Sequence, residues 1–260
     1  MTIDQDKYIL NVDDLSVSYG DFVAVKNVSF KVMHGEIFGL LGPNGAGKTS
    51  TLSSIEGLIR YKSGTITVDG KDVKADPLYA KASMGVQLQA TSFQPELNVV
   101  QILQLFSGIY GVPMSRDRIR GILKEIGLEG HEKKKFSQLS GGQQQRISLV
   151  ISTIHNPKLI LLDEPTTGLD PQARRQLWER IEAFREQGHA VLLTTHSMEE
   201  AEAICDRIAI IDRGQVIAID TPQTLIDTHK NDPDVIAVSR RGKVTLEDVF
   251  IALTGKTVRA

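Results

Sequence analysis

The chain has 260 residues, 41% hydrophobic and 24% charged, with a formal net charge of −2, enough apolar material for a buried core in one large domain or one and a half. That balance gives no overall electrostatic case for nucleic acid, and the short basic clusters at 116–120 and 133–135 sit beside acids and read as solvated surface. The one cysteine, Cys205, excludes an intrachain disulfide, no apolar run approaches the ~18 residues of a membrane span, and the polar segment 1–6 lacks the regions of a signal peptide. The expectation is a cytoplasmic protein whose dealings with a membrane go through a partner.

Residues 8–19 alternate apolar and polar side chains as a half-exposed strand does, and 23–33 repeat the pattern after the turn Gly20-Asp21. After a second turn at His34-Gly35, a short apolar strand over 36–41 enters Gly42-Pro43-Asn44-Gly45-Ala46-Gly47-Lys48-Thr49. This stretch matches the phosphate-loop pattern G-x-x-x-x-G-K-[ST] at every fixed position, and a helix is predicted over 49–58. The glycines let the backbone wrap so that successive N–H groups face one anion, and the helix aims its free N–H groups and dipole at the same point. Lys48 is then placed to neutralise the outer phosphates, and the Thr49 hydroxyl to ligate Mg²⁺.

Short strands are predicted over 64–70 and 84–88. Phe93, Pro95 and Leu97 follow in a loop, an apolar trio that either folds back or is covered by a partner. From 99 to 127 the period is helical. Ile102, Leu105, Phe106 and Ile109, then Ile119, Ile122, Leu123 and Ile126, fall three or four apart around a break at 108–113. This is a mostly helical insertion between strands. Leu139-Ser140-Gly141-Gly142-Gln143 opens another helical run, 144–154. Ser140 is a good N-cap, and the two glycines leave backbone N–H groups bare at a helix start, a second anion cradle.

Strands return at 158–163 and 190–194, each followed by a helix, from about Pro171 and Met198. Residues 208–212 and 215–219 make a hairpin about Arg213-Gly214. All-apolar strands alternating with helices predict an α/β fold with a buried, mostly parallel sheet, preceded by an antiparallel β subdomain. Asp163 and Glu164 end an apolar strand. Asp163 is placed to hold Mg²⁺ opposite Thr49, and Glu164 to polarise the water that attacks a γ-phosphate. Cys205 reads as a small core residue, and 229–243 as a polar linker.

The stretches 42–49, 139–143 and 159–164 together resemble the Walker A, signature and Walker B motifs of ATP-binding cassette (ABC) proteins, over about 8–225. The resemblance implies a P-loop ATPase core that binds ATP through Gly42, Pro43, Asn44, Gly45, Ala46, Gly47, Lys48, Thr49 and Ser50. It further implies a head-to-tail dimer in which Leu139, Ser140, Gly141, Gly142 and Gln143 of one cassette cover the ATP of the other. Tyr19 resembles the aromatic that stacks on adenine. Gln89 looks like the glutamine that senses metal and water, and is favoured over Gln87, which lies inside the predicted strand. Asp170, in Gly168-Leu169-Asp170, resembles the loop that crosses to the other cassette, and His196 the switch histidine near the γ-phosphate. The implied catalytic set is Glu164, His196 and Gln89, and the implied metal set Thr49, Gln89 and Asp163.

The implied function is the ATPase subunit of a transporter. The alternative is a soluble cassette acting on the ribosome or nucleic acid, but the chain shows neither long coiled coils nor zinc-binding cysteines and carries one motif set. Thr245-Leu246-Glu247-Asp248 reads as a capping box, with Leu246, Val249, Phe250 and Leu253 on one face and Gly255 as a stop. This tail resembles that of daunorubicin-resistance-type cassettes, which implies an exporter of drug, antibiotic, lipid or polysaccharide type. The expected organisation is an ATPase domain over 1–228, with core segments 1–88 and 158–228 and an insertion over about 89–157, then a short extension over 229–260 with one helix. Expected partners are a second copy of the chain and an ABC permease at the cytoplasmic face of the membrane, with no nucleic acid. Because relatives dock their permease near the insertion, Phe93 is expected to face it.

Overall fold

The computed structural model describes residues 7–87, 93–239 and 244–255. The N-terminal alternation becomes β1 (Tyr8–Tyr19) and β2 (Phe22–Met33), and the apolar run before the loop becomes β3 (Ile37–Leu41), buried throughout. α1 (Lys48–Ile55) leaves the loop, followed by β4 (Ser63–Val68), β5 (Lys71–Asp72), α2 (Pro77–Ser83) and β6 (Met84–Val86). In the insertion, Asn98 and Gln101 form a capping box that starts α3 (Val99–Ile109), and Ser115 caps α4 (Arg116–Glu125). Then come α5 (Gly141–Thr153), β7 (Leu159–Asp163), α6 (Pro171–Glu186), β8 (Ala190–Thr195), α7 (Met198–Ile204), β9 (Arg207–Asp212) and β10 (Gln215–Asp220). The chain closes with α8 (Pro222–His229), α9 (Pro233–Val238) and α10 (Leu246–Thr254).

The strands form a four-stranded antiparallel sheet, β2-β1-β4-β5, and a six-stranded sheet, β10-β9-β3-β8-β7-β6, parallel except for β10. The central strands are apolar on both faces because both are covered. Phe38, Leu40, Leu159, Leu161 and Leu192 pack toward β1, β2, β4 and α1, while Ile37, Leu41, Ile160, Leu162, Val191 and Leu193 pack toward α6 and α7. Gly39 is glycine because a Cβ there would lie 2.8 Å from Cys205 Sγ, so the buried cysteine fills that place. A third cluster joins α3, α4 and α5.

Two expectations are corrected. Phe93 does not face outward. It is 5% exposed, with its ring centroid 4.5 Å from that of Phe136 and 5.6 Å from that of Phe106. The loop folds back because an exposed phenyl ring gains more by joining the core of α3 and α5 than by waiting for a partner. Phe93→Asp is therefore expected to cost at least the ~3–5 kcal/mol of a core Phe→Ala change, with the desolvation of the carboxylate added. Urea unfolding measures this, and an unchanged midpoint would return Phe93 to the surface.

The second correction concerns 229–260, where the described residues form two helices, α9 and α10, in place of a linker and one helix. Within 229–243, Asp232 caps α9 with Pro233 in its first turn, and Val235 is fully buried. The terminal helix is as read: a Thr245–Asp248 capping box, Gly255 left-handed at φ 64°, and Leu246 and Phe250 in the core. It packs on α7, α8 and α9.

Candidate functional site

The strand register determines which residues meet. Leu41 lies opposite Thr195 and Asp163 opposite Thr194, and the Gly42 N–H donates to the Thr195 carbonyl at 3.1 Å. The loop after β3, the acids ending β7 and His196 after β8 thus emerge side by side at the carboxyl edge of the sheet, where open α/β sheets take their ligands. Gly47, the N-cap of α1, has φ 103°, and a Cβ there would stand 2.6 Å from the Ala24 carbonyl oxygen. No side chain caps α1, so its first-turn N–H groups are free to meet an anion.

Lys48 is 4% exposed and lies within the loop. Its Nζ donates to the carbonyls of Gly42 (2.8 Å) and Pro43 (3.2 Å) and stands 3.3 Å from Glu164 Oε1. Glu164 Oε2 is 3.2 Å from His196 Nδ1 and accepts from the Thr167 hydroxyl at 3.2 Å. One carboxylate thus links the loop lysine to the histidine. Its backbone is left-handed, φ 45°, a conformation that costs a non-glycine residue about 1–3 kcal/mol. The Thr194 hydroxyl and carbonyl hold it by accepting from the Glu164 N–H at 2.9 and 3.2 Å.

The Thr49 hydroxyl is 3.3–3.4 Å from both Asp163 carboxylate oxygens, and the Thr194 hydroxyl donates to Asp163 Oδ1 at 2.5 Å. Burial alone would raise the Glu164 pKa, but the Lys48 charge and hydrogen bond, then His196, outweigh it and hold the carboxyl below its ordinary value. Glu56, the C-cap of α1, moves the other way. Burial, then the charge of Asp163, pushes it up to about 7. Thr49 and Asp163 can offer oxygens to a divalent cation, since their 3.3–3.4 Å spacing is near the about 2.9 Å edge of an octahedron with 2.0–2.1 Å Mg–O bonds.

Tyr19 ends β1 beside the loop, half exposed, with its hydroxyl 3.3 Å from Ser50 Oγ. Gln89 lies outside the described residues. The rival Gln87 continues the sheet, its N–H donating to the Leu161 carbonyl at 3.0 Å.

The other cradle stands apart. Ser140 Oγ accepts from the Gln143 N–H (3.4 Å) and Gln143 Oε1 from the Ser140 N–H (3.0 Å), so the first-turn donors left over belong to Gly141 and Gly142. Ser140, Gly141 and Gly142 line a cleft of about 480 Å³ with Gly168, Leu169 and Asp170, and no residue of 42–50 lines it. Asp170 caps α6, accepting from the Ala173 N–H at 2.8 Å.

Sequence reasoning passed over Thr194, Glu56 and Gln145, whose side-chain amide donates to the Pro165 carbonyl just past Glu164. For Thr194 there was a signal, a threonine pair interrupting the apolar run 190–195 just before His196. Glu56 and Gln145 gave none, because their roles depend on which strand ends are neighbours.

The sequence profile of the family described as ABC transporter matches residues 25–167. The chain is 41% identical over 232 residues to Nod factor export ATP-binding protein I of Ralstonia nicotianae, covering 88% of this chain and 72% of that protein. It is 39% identical over 219 residues to linearmycin resistance ATP-binding protein LnrL of Bacillus subtilis, covering 84% and 70%. Among solved structures, an ATP-binding subunit of an ABC transporter superposes with a TM-score of 0.81 at 28% identity, over 94% of this chain and 99% of that one. A dimeric bacterial ABC transporter cassette gives 0.73 at 27% identity, over 82% and 98%.

Proposed function

As a member of the ABC family of export-type transporter ATPases, this chain binds and hydrolyses ATP, and we propose that it does so with the residues gathered at the carboxyl ends of β3, β7 and β8. The observation that carries the assignment is the chain of contacts Lys48–Glu164–His196 beside Thr49–Asp163.

The loop N–H groups and Lys48 receive the phosphates, and Tyr19 stacks on the base. Incoming phosphate oxygens compete with Glu164 for Lys48, so substrate binding draws the lysine away and frees the carboxylate to take a proton from the attacking water. His196 holds the other oxygen of that carboxylate. Thr49 and Asp163 would hold Mg²⁺, joined by Gln89 on the family resemblance, and the ion would supply positive charge toward the phosphates.

The cradle at 139–143 and Asp170 act on a second copy of the chain, in a homodimer that closes on ATP and reopens after hydrolysis. That the cradle shares no cleft with the phosphate loop supports this reading. No helix among the described residues is long and apolar enough to cross a membrane. The relatives, named as ATP-binding proteins of export and resistance systems, support a separate permease as the membrane path, with the ATPase peripheral at the cytoplasmic face. Residues 1–228 form the ATPase domain, with the insertion at about 89–157, and 229–260 an extension. Relatives named for Nod factor export and linearmycin resistance support an exporter, and the resemblance of the tail extends this to drug, antibiotic, lipid or polysaccharide cargo.

Lys48→Ala is expected to abolish ATP binding, because the phosphates lose the cation of the loop. Equilibrium binding of labelled ATP checks it, and wild-type affinity in the variant would refute the assignment of the loop.

A further inference from the structure

α6 and α7 each begin at a proposed functional residue. Asp170 caps α6, and α7 starts two residues after His196 with Ser197 as its cap. Two rungs join them. Arg174 Nη1 is 2.9 Å from Glu199 Oε2, and one turn further along α6 the Trp178 indole N–H donates to Glu200 Oε1 at 3.1 Å. The first rung is open to solvent at Glu199 and contributes little. The second is different, because Glu200 is fully buried. Its Oε2 has no hydrogen-bond partner among the described residues.

Burying a carboxylate this way is expensive, and a residue of similar shape without charge would suit the core better. What the arrangement supplies is geometry. The indole holds the Glu200 carboxyl in one place. The Ser197 hydroxyl accepts from the Glu200 N–H at 3.3 Å, and Ser197 donates its own N–H to the Thr195 hydroxyl at 3.0 Å. The anchored residue is thus tied to both neighbours of His196.

We propose that Glu200 and Trp178 are positioning residues for the ATPase reaction. Their hydrogen bond, anchored on the fully buried Glu200, fixes the start of α7 against α6, and so sets His196 relative to Glu164 and to Asp170. The proposal rests on the reading of His196 given above, and it asks nothing of the phosphate loop, so nucleotide affinity should not depend on the pair.

The test measures kcat, KM for ATP, equilibrium ATP binding and unfolding midpoint for Trp178→Phe, Glu200→Ala, Glu200→Gln and His196→Ala. Trp178→Phe and Glu200→Ala should each lower kcat by about 10- to 100-fold, the scale of an ångström-level misplacement, with ATP binding within a few-fold of wild type. Glu200→Gln keeps an acceptor for the indole and should recover most of the activity. Adding Glu200→Ala to His196→Ala should cost little more, since the positioned group is already gone. Trp178 is the single tryptophan, so its emission should shift in Glu200→Ala.

Wild-type kcat in both Trp178→Phe and Glu200→Ala, whatever their midpoints, would make the pair purely structural and overturn the proposal. So would an unchanged emission spectrum. If Glu200→Ala does not fold, Trp178→Phe, which keeps most of the ring volume, decides alone. A fully active His196→Ala would instead sink the reading of the histidine on which the proposal stands.

Discussion

Glu164→Gln is expected to hydrolyse ATP at least roughly 10²-fold more slowly than the parent, the usual contribution of a general base, while binding ATP no less tightly. The amide keeps the shape of the side chain but takes no proton from water. In the free protein Glu164 Oε1 holds Lys48 at 3.3 Å, so the native carboxylate competes with the incoming phosphates and glutamine competes less. In the free protein burial raises the carboxyl pKa, but Lys48 and then His196 outweigh it and hold the group below its ordinary value, so it meets the substrate ionised. A dimer that needs hydrolysis to reopen should then persist. Single-turnover kinetics reads the slowed step, and size-exclusion chromatography in Mg-ATP reads the dimer. A variant that binds ATP, stays monomeric and turns over at the parent rate would remove Glu164 from both roles.

The parts of this site readable beforehand are those carried by contiguous residues. Loop 42–49 needs glycine at Gly47, where the chain turns left-handed and an added Cβ would stand 2.6 Å from the Ala24 carbonyl oxygen. Asp163 and Glu164 end an apolar strand, and Ser140 and Gln143 form their capping box three residues apart. What stayed hidden depends on sheet order. That Thr194 braces both Asp163 and Glu164 follows from β8 lying beside β7 in one register, which no local pattern specifies. The helix at 233–238 was obscured by its polar surroundings, although Asp232-Pro233 is an ordinary helix start. Phe93 shows the opposite failure. The family resemblance drew an apolar loop residue toward a partner, when Phe106 and Phe136 were near enough to bury it.

Ser140→Arg and Lys48→Ala, each inactive alone, should regain activity when mixed. The arginine fills the cleft that Ser140, Gly141 and Gly142 line with Gly168 and Asp170, and since none of residues 42–50 lines that cleft, the variant subunit should bind ATP like the parent. If the cradle serves the opposing chain, every composite site in a Ser140→Arg homodimer is blocked and every site in a Lys48→Ala homodimer lacks its lysine. In the mixed dimer both lesions fall on one site and the other carries neither. About half the dimers in an equimolar mixture should be of this kind, so up to about half the wild-type rate per dimer is expected from them if the intact site fires alone. The rate must rise with the mixed fraction, followed by differently tagged subunits and tandem purification. If tagged heterodimers form in ATP and remain as inactive as either parent, one intact site does not suffice or the motifs do not meet in trans. A Lys48→Ala/Ser140→Arg double variant mixed with wild type separates these cases, because that dimer holds two singly damaged sites when the cradle acts across the interface and one intact site when it acts within its own chain. Activity in the tag-purified heterodimers of that second mixture, free of wild-type homodimer, with none in those of the first, would place the cradle on its own chain's nucleotide.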